Sequence, residues 1–332
     1  MTCAEGTFTE EVNATGKVAI VTGANTGLGL ETVRGLNKRG AKVYMLCRSE
    51  QRCSDAIEKL SVDCDRSRLI FQQCDLSRFS SIRACAKRIA QLEDHVDILV
   101  NNAGIMFYPQ FELTEDGHEM TWQSNYLGPF LLTELLLPLL QKSTEGRIVI
   151  VSSRWHLRSG PIDLKTSDDK SEYGRLAPYN RSKLANVMHA RGLAKHLSDS
   201  GVTNVTVNTL HPGVVATELQ RHFFLGLFMK NVAQGARTSL FLALSPKVQG
   251  ITGKYFTECE ETSVNPAAAM DEDCSNLRAY SLNEAFVNEQ KKNKENGASG
   301  SGLGPLRSFS DIREKISSSF SSFSLNSRSS DR

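Results

Sequence analysis

The chain has 332 residues, of which 40% are hydrophobic and 23% charged, and its formal net charge is +2. This length allows one large or two ordinary globular domains, and the near-neutral charge gives no reason to expect a nucleic-acid partner. Eight cysteines are scattered without a Cys-x-x-Cys pair, so we expect reduced thiols and no metal site. Because no apolar leader and no run of about 18 apolar residues occurs, we expect a cytoplasmic protein without a membrane span.

The first elements predict a dinucleotide-binding turn. Residues 17–22 are a β-branched run typical of a strand that is buried on both faces, and residues 30–38 have helical spacing. Between them, residues 22–29 read Thr-Gly-Ala-Asn-Thr-Gly-Leu-Gly. Gly23 allows a tight turn, and Gly27 lets the backbone approach a pyrophosphate at the helix N-terminus. The alternative is a left-handed turn that binds no ligand.

The second strand, residues 42–47, predicts which dinucleotide binds. It ends at Arg48, and no acidic residue precedes that position. In dinucleotide folds a basic residue here accommodates the 2′-phosphate of NADP, whereas an acidic residue binds the ribose of NAD. We therefore expect NADP(H) to be preferred over NAD(H). The alternative is that Arg48 is a solvated charge at a strand end.

Polar residues follow the next two strands, at the edge where ligands gather in such sheets. Asp75 follows the strand 69–74, and Asn-Asn-Ala-Gly at 101–104 follows the strand after it. Asn125 lies in the middle of a helix predicted over 114–140, an unfavourable place for asparagine. Its side chain is therefore expected either to point outward or to perform a task.

A tyrosine and a lysine four residues apart predict acid–base chemistry. The fifth strand ends at Ser152-Ser153, and a polar insertion over 154–176, expected to be a surface loop, precedes the next helix. That helix contains Tyr179 and Lys183, which lie one turn apart on one face. An ammonium beside a phenol favours the phenolate, so we expect Lys183 to lower the pKa of Tyr179 and allow proton transfer.

Strands and helices alternate to the end of the body, with further elements predicted at 205–210, 234–244, 253–256 and 276–287. This pattern predicts an α/β fold with a doubly wound, mostly parallel, seven-stranded sheet of the Rossmann type. We expect one domain over residues 14–287, an N-terminal extension over 1–13 and a Ser-rich, disordered tail over 288–332.

Two segments near the end indicate contact with apolar partners. Phe223, Phe224 and Phe228 lie in an apolar stretch after the sixth strand, where we expect them to cover a lipophilic substrate. The alternative is that they pack on the body. Within the tail, an apolar stripe at helical spacing indicates docking on a membrane surface or a partner, the alternative being chance spacing.

Taken in order, the motifs resemble the short-chain dehydrogenase/reductase family over about residues 14–287. The resemblance is carried by the glycine turn, residues 101–104, Asn125, Ser152-Ser153, Tyr179-x-x-x-Lys183 and Pro212-Gly213. Closer still, residues 180–186 and 210–218 and the insertion before Tyr179 resemble the retinol dehydrogenase branch. Members of that branch commonly carry an N-terminal hydrophobic anchor. No such stretch is present here, so any membrane contact is expected through residues 223–229 or the tail.

The resemblance implies a role for each catalytic residue. Tyr179 would be the general acid/base, and Lys183 would lower its pKa and hold the nicotinamide ribose. Ser153 would hydrogen-bond the substrate oxygen, the alternative being a loop hydroxyl. Asn125 would fix a water that links Lys183 to solvent, the alternative being that it caps local backbone.

The resemblance also implies the cofactor contacts. Asp75 would take the adenine end, residues 102–104 would line the cofactor, and Thr217 would hold the carboxamide. The full set is Gly23, Asn25, Thr26, Gly27, Leu28, Gly29, Arg48, Asp75, Leu76, Asn102, Ala103, Gly104, Tyr179, Lys183, Pro212, Gly213, Val215 and Thr217.

The expected activity is NADP(H)-dependent interconversion of a lipophilic aldehyde or ketone and its alcohol, similar to retinal and retinol. Two alternatives stand beside it: a broad carbonyl reductase for steroids or xenobiotics, and a non-catalytic scaffold that binds NADP(H). The oligomeric state is left open between a monomer and a homodimer.

Overall fold

The computed structural model describes residues 8, 10–174, 176–215 and 230–288. Strands and helices alternate through these ranges. The strands are β1 (Val18–Thr22), β2 (Lys42–Cys47), β3 (Leu69–Gln73), β4 (Ile98–Asn101), β5 (Gly146–Val151), β6 (Val205–His211), β7 (Tyr255–Thr257) and β8 (Glu260–Glu261). The helices are α1 (Gly27–Lys38), α2 (Glu50–Leu60), α3 (Phe79–Leu92), α4 (Met120–Trp122), α5 (Gly128–Leu140), α6 (Ala177–Asp199), α7 (Val232–Leu244) and α8 (Asp271–Asn283).

One sheet organises the molecule, with the strand order β3-β2-β1-β4-β5-β6-β7-β8. The first seven strands are parallel. Every residue of β1, β4, β5 and β6 is buried, as expected of central strands in a parallel sheet. In the sheet, β2 lies on one side of the neighbouring strands β1 and β4, and β5 lies on the other. The connection that follows β1 therefore leads to one side, and the connection that follows β4 leads to the opposite side, so the two diverge. That divergence opens a crevice at their carboxyl ends.

The predicted fold class is confirmed, and the predicted number of strands is wrong by one. The eighth strand, β8, pairs antiparallel with β7. The two are joined by a tight turn at Glu258 and Cys259, whose φ angles are 55° and 63°. Such a turn usually contains Asn or Gly, because two successive residues need positive φ. Glu and Cys give no such signal, which is why the hairpin was missed.

The predicted helix over 114–140 begins later, at Met120. Glu119 ends the preceding turn, and its carboxylate accepts hydrogen bonds from the N–H groups of Thr121 at 2.9 Å and Trp122 at 2.7 Å. Residues Gln123–Leu127 then form one π-helical turn between α4 and α5. Asn125 lies in that turn, so the regular helix that the sequence predicts is interrupted at this residue.

The insertion over 154–176 contains two short 3₁₀ turns, Arg154–Arg158 and Lys170–Glu172. Hydrogen bonds attach this insertion to the body of the fold. The carboxylate of Asp168 lies 3.0 Å from Nδ1 of His118 and accepts a 2.7 Å hydrogen bond from the N–H of Glu119. The hydroxyl of Tyr173 donates to the carbonyl oxygen of Tyr108 at 2.7 Å.

The chain divides into two units, Met1–Ser281 and Leu282–Arg332. Of the second unit, the structure describes residues 282–288, which contain the end of α8 and a π-helical turn at Glu284–Asn288. Most of the Ser-rich tail therefore lies outside the described residues. Within the described ranges, no helix is both long and apolar enough to cross a membrane.

Candidate active site

The glycine turn between β1 and α1 forms a backbone cradle. Gly27 opens α1 with a φ of 55°, a conformation that side chains disfavour. A Cβ atom on Gly29 would lie 2.3 Å from the carbonyl oxygen of Gly23, so no other residue fits there. Thr26 at the N-cap makes no side-chain hydrogen bond, which leaves the N–H groups of the first turn without a side-chain cap. Such a helix start suits an anionic group such as a pyrophosphate.

A cleft of about 820 Å³ extends from this turn along the carboxyl ends of β1 to β4. Many of the predicted cofactor contacts lie along it, and the structure thus brings them together: Gly23, Asn25, Thr26, Gly27, Leu28, Arg48, Asp75, Leu76, Asn102, Ala103 and Gly104. Several further residues line the cleft that were not predicted from the sequence as cofactor contacts, among them Thr22, Leu30, Cys47, Arg52, Asp55, Lys59, Cys74, Ile105 and Ser124.

The end of the cleft beside β2 carries several charged side chains. Arg48, Arg52 and Lys59 line it together with Asp55, and all four residues are exposed. Three of them project from α2 at positions three and four residues apart, which places them on one face. The same spacing of three and four residues continues from Arg48 in the sequence, and this signal could have identified Arg52 and Lys59.

Thr22 links the end of β4 to the end of β1 through hydrogen bonds. Its hydroxyl oxygen accepts hydrogen bonds from the N–H groups of Asn102 and Ala103, both at 2.9 Å. The side-chain amide of Asn102 donates to the carbonyl oxygen of Thr22 at 2.9 Å. These bonds hold residues 102–104 against the glycine turn, so the two polar segments form one continuous wall of the cleft.

Asp75 holds the turn that follows β3. Its carboxylate accepts hydrogen bonds from the N–H of Ser77 at 3.0 Å and from the Ser77 hydroxyl at 2.7 Å. Its own N–H donates to the hydroxyl of Ser81 at 3.0 Å. Asp75 is thus a structural residue of this turn as well as part of the cleft wall.

Tyr179, Lys183 and Ser153 come together where β5 ends and α6 begins, and all three are buried. The Ser153 hydroxyl oxygen accepts a hydrogen bond from the N–H of Trp155 at 3.3 Å. Lys183 donates from Nζ to the carbonyl oxygen of Val151 at 3.0 Å, and Nζ lies 5.5 Å from the centre of the Tyr179 ring. The hydroxyl of Ser152 donates to the Lys183 carbonyl oxygen at 2.7 Å, which fixes α6 against β5.

The pKa values of this cluster differ from the sequence-based expectation. Burial raises the pKa of Tyr179 to about 12, while its hydrogen bond with Ser153 acts in the opposite direction. Burial also lowers the pKa of Lys183 to about 8. The expected lowering of the Tyr179 pKa by Lys183 is therefore not found, because loss of solvent dominates and the ammonium is directed at Val151.

Asn125 uses its side chain to hold the backbone beside Lys183. Its Oδ1 accepts from the N–H of Ile105 at 2.7 Å, and its Nδ2 donates to the Ile105 carbonyl oxygen at 2.9 Å and to the Ser182 hydroxyl at 3.1 Å. A Cβ atom on Gly104 would lie 3.3 Å from Nζ of Lys183 and 3.4 Å from Oδ1 of Asn125. Isolated π-helical turns often occur at functional sites. A role for Asn125 in a proton relay stays a prediction.

The segment after β6 is described only in part. Gly213 has a φ of 90°, and Val215 is buried and forms an isolated bridge with Lys230. Pro212, Gly213 and Val215 do not line the cleft described above. The predicted contact Thr217 and the predicted substrate residues Phe223, Phe224 and Phe228 lie outside the described residues.

The fold and this arrangement define a dinucleotide-binding α/β protein with a buried Ser–Tyr–Lys cluster, and comparison with known proteins places it further. The family model for short chain dehydrogenase matches residues 17–226. The chain belongs to the short-chain dehydrogenase family.

Individual relatives match over most of the chain. Retinol dehydrogenase 12 of Homo sapiens is 42% identical over 273 residues, covering 80% of this chain and 85% of that protein. Retinol dehydrogenase 14 of Mus musculus is 39% identical over 294 residues, covering 82% and 86%. Among solved structures, the RhlG/NADP active-site complex of Pseudomonas aeruginosa superposes with a TM-score of 0.60 at 25% identity, covering 74% of this chain and 95% of that one.

Proposed function

We propose that this chain is an NADP(H)-dependent oxidoreductase that interconverts a lipophilic carbonyl compound and its alcohol, with retinal and retinol as the first substrates to test. The observation that carries the proposal is the burial of Tyr179, Ser153 and Lys183 where β5 ends and α6 begins, with Nζ of Lys183 5.5 Å from the centre of the Tyr179 ring. It places a proton donor, a second hydroxyl and a cation together at the carboxyl edge of the sheet. Two retinol dehydrogenases among the relatives support the substrate class.

The residues present fit a nicotinamide dinucleotide. The uncapped start of α1 suits the pyrophosphate, and the residues 102–104 that Thr22 holds in place provide a flat backbone wall. Arg48, Arg52 and Lys59 at the β2 end suit a 2′-phosphate, which supports a preference for NADP(H) over NAD(H). The NADP complex of the structural relative agrees with this preference.

The bound cofactor would supply or accept the hydride, and the chain's own residues would handle the proton. In the reductive direction, the Tyr179 hydroxyl gives its proton to the substrate oxygen as negative charge develops there. Ser153 donates a hydrogen bond to the same oxygen and orients it. Nζ of Lys183 lies 5.5 Å from the centre of the phenol ring, where it would hold the nicotinamide ribose.

Two exposed apolar side chains on segments that follow β5 and β6 support a lipophilic substrate. Leu157 follows Ser153 by four residues and is 50% exposed, and Val214 follows the end of β6 and is 45% exposed. Both lie on segments that leave the carboxyl edge of the sheet. Apolar side chains exposed at such an edge favour a substrate with a hydrocarbon body.

The test is NADPH oxidation by the purified full-length protein with all-trans-retinal, a steroid ketone and a short aldehyde in parallel. We expect rapid turnover of retinal and slow turnover of the short aldehyde. Comparable turnover of all three would favour the broad carbonyl reductase instead. NADPH binding with no turnover of any carbonyl would contradict the proposed activity and favour the scaffold.

A further inference from the structure

His156 joins the turn after β5 to a distant segment of the chain. Its side chain is fully buried in the 3₁₀ turn Arg154–Arg158, which follows Ser153. Nδ1 lies 2.7 Å from the Ser153 carbonyl oxygen, and Nε2 lies 3.3 Å from the backbone nitrogen of Asn265. The ring packs edge-to-face on Tyr255 of β7, with the ring centres 4.7 Å apart. Both ring nitrogens therefore have a backbone partner at a buried position.

These two partners fix the tautomer of the His156 ring. A carbonyl oxygen can only accept a hydrogen bond, and a backbone N–H can only donate one. Nδ1 must therefore carry the proton that it donates to Ser153, and Nε2 must accept from Asn265. Burial lowers the pKa of His156, which favours this neutral form, although its bond to Ser153 acts in the opposite direction.

Asn265 holds the same turn through its side chain. Its Nδ2 donates to the carbonyl oxygens of His156 at 2.8 Å and Ser159 at 2.9 Å. Its Oδ1 accepts from the N–H of Ala267 at 2.9 Å, and the residue is itself buried. The turn after β5 is thus fixed by a segment that lies more than 100 positions later and follows β8.

Ser153 lies just beyond the sheet, because β5 ends at Val151. Its carbonyl oxygen accepts from the N–H of His156 at 3.0 Å as well as from Nδ1, so one residue supplies two hydrogen bonds to it. Its hydroxyl oxygen accepts from the N–H of Trp155 at 3.3 Å. A hydroxyl that accepts through its oxygen keeps its proton for a different acceptor. The orientation of the Ser153 backbone therefore decides where that proton can be donated.

We propose that His156 is a positioning residue for Ser153. Asn265 holds the ring in the Nδ1–H tautomer, the ring holds the Ser153 carbonyl group, and the Ser153 hydroxyl is thereby kept at the place of the substrate oxygen. The inference rests on the proposed function, in which Ser153 donates to that oxygen. His156 does not line the cofactor cleft, so its effect is expected on turnover and not on cofactor binding.

Two substitutions separate the two bonds of the ring. His156→Asn places an amide at the former Nδ1, where it can still donate to Ser153. His156→Gln places its amide near the former Nε2, where it can still accept from Asn265 but loses the bond to Ser153. A misplacement of about 1 Å in a group at the reacting atoms costs about 100-fold in rate, so the two variants should differ in kcat.

The experiment measures kcat and KM for NADPH-dependent reduction of all-trans-retinal by the full-length protein, with the Kd for NADPH and the melting temperature. We expect His156→Gln to lower kcat about 10- to 100-fold with an unchanged Kd. We expect His156→Asn to retain most of the wild-type kcat. His189→Gln is the matched control, since it removes a buried histidine whose ring nitrogens have no hydrogen-bond partner, and it should keep the wild-type kcat.

A second background separates positioning from general support of the fold. Ser153→Ala has no hydroxyl to place, so adding His156→Gln to it should lower kcat by less than about twofold. A role in stability alone would lower kcat by the same factor in both backgrounds. Should His156→Gln fail to fold, the comparison is made with Asn265→Ser, which keeps the backbone N–H and loses the two bonds from Nδ2.

The tautomer is measured without any turnover, by ¹⁵N NMR of protein labelled at its histidines, with His156→Asn identifying the signal. We expect the proton on Nδ1 at pH 7. A proton on Nε2 would overturn the inference.

The kinetic outcomes decide the rest. The inference is overturned if His156→Gln keeps the wild-type kcat, if His156→Asn loses as much as His156→Gln, or if the loss is the same in the Ser153→Ala background. These outcomes leave the proposed function intact, because the wild-type protein still turns over retinal. If the wild-type protein reduces no carbonyl compound, the proposed function is wrong, and the positioning role is overturned with it.

Discussion

The two halves of the site use different kinds of chemical group. At the carboxyl ends of β1 to β4, the cleft consists of backbone groups and partly exposed side chains, with an uncapped α1 and an exposed Arg48. At the end of β5, the proposed chemistry would depend on side chains that are buried. Ser153, Tyr179 and Lys183 are each less than 7% exposed, and burial shifts the pKa values of the last two.

This difference has a functional meaning. Backbone N–H groups and solvated cations can bind an anionic cofactor without a large desolvation cost. A proton donor instead benefits from an enclosed site, where a hydrogen bond or a nearby charge acts strongly. Binding and proton transfer are therefore expected to respond to different substitutions.

The largest effect is expected at Tyr179. Tyr179→Phe removes the proton donor and should lower kcat about a thousandfold, the usual contribution of a positioned acid or base. The Kd for NADPH should change little, because the cradle is intact. Tyr44→Phe is the control, since it removes the hydroxyl of another buried tyrosine, which is bonded to Glu93 and does not line the cleft. A similar loss of kcat in both variants would contradict the assignment.

Substitution of Gly29 tests the other half of the site, the glycine turn that is proposed to bind the cofactor. In Gly29→Ala the added Cβ would lie 2.3 Å from the Gly23 carbonyl oxygen and 2.6 Å from Nδ2 of Asn102. We expect NADPH binding to weaken by about a hundredfold and stability to fall by about 1–3 kcal/mol. Gly160→Ala, at a position with no atom within 4 Å, is the matched control. Unchanged NADPH affinity in Gly29→Ala would show that the cradle does not hold the cofactor.

Substitution of Arg48 tests only the preference for NADP(H) over NAD(H). Arg48→Ala should raise KM for NADPH about 10- to 100-fold, the effect of losing a charge-assisted hydrogen bond to phosphate. KM for NADH should stay unchanged, because NADH has no 2′-phosphate. Arg68→Ala removes a half-buried arginine that pairs with Asp65 outside the cleft and serves as control. Equal changes for both cofactors would contradict a role for Arg48 at the 2′-phosphate.

The smallest expected effect concerns stability toward acid. Burial lowers the pKa values of His189 and His211 to about 4, below the value of about 6.5 in the unfolded chain. Between these values the unfolded chain binds more protons, so the free energy of unfolding is highest above pH 6.5 and falls as the pH drops toward 4. Urea unfolding at pH 7, 5.5 and 4.5 measures the slope.

A variant isolates the histidine contribution. His189 packs at 4.9 Å from the Phe130 ring, and both its ring nitrogens are without a hydrogen-bond partner. His189→Leu should therefore reduce the pH dependence. Burial raises the pKa of Glu119, which acts in the opposite direction, so the difference between variant and wild type is the informative quantity. An unchanged slope would contradict the assigned role of His189.

Much of the fold and the site could be predicted from the sequence, because the signals were local. The glycine turn, Arg48 and the pair Tyr179 and Lys183 each depend on spacing along one strand–turn–helix unit. The structure brings them to one edge of the sheet, as parallel strands require.

The features that were missed depend on contacts between distant segments. The pKa of Tyr179 depends on how deeply α6 is enclosed. Asp168 lay in a segment expected to be loop, and only the fold brings it to His118. The start of α8 at Asp271 was a local signal that was overlooked, since three acidic residues occupy its first turn.

The central claim is hydride transfer to a carbonyl carbon, and the most direct measurement follows that hydride. NADPH carrying deuterium at the transferred C4 position is mixed with the purified protein and all-trans-retinal, and the retinol formed is examined by mass spectrometry. We expect one deuterium at the carbinol carbon, and we expect formation of this product to depend on Tyr179. Retinol without deuterium, or no retinol despite bound NADPH, would contradict it.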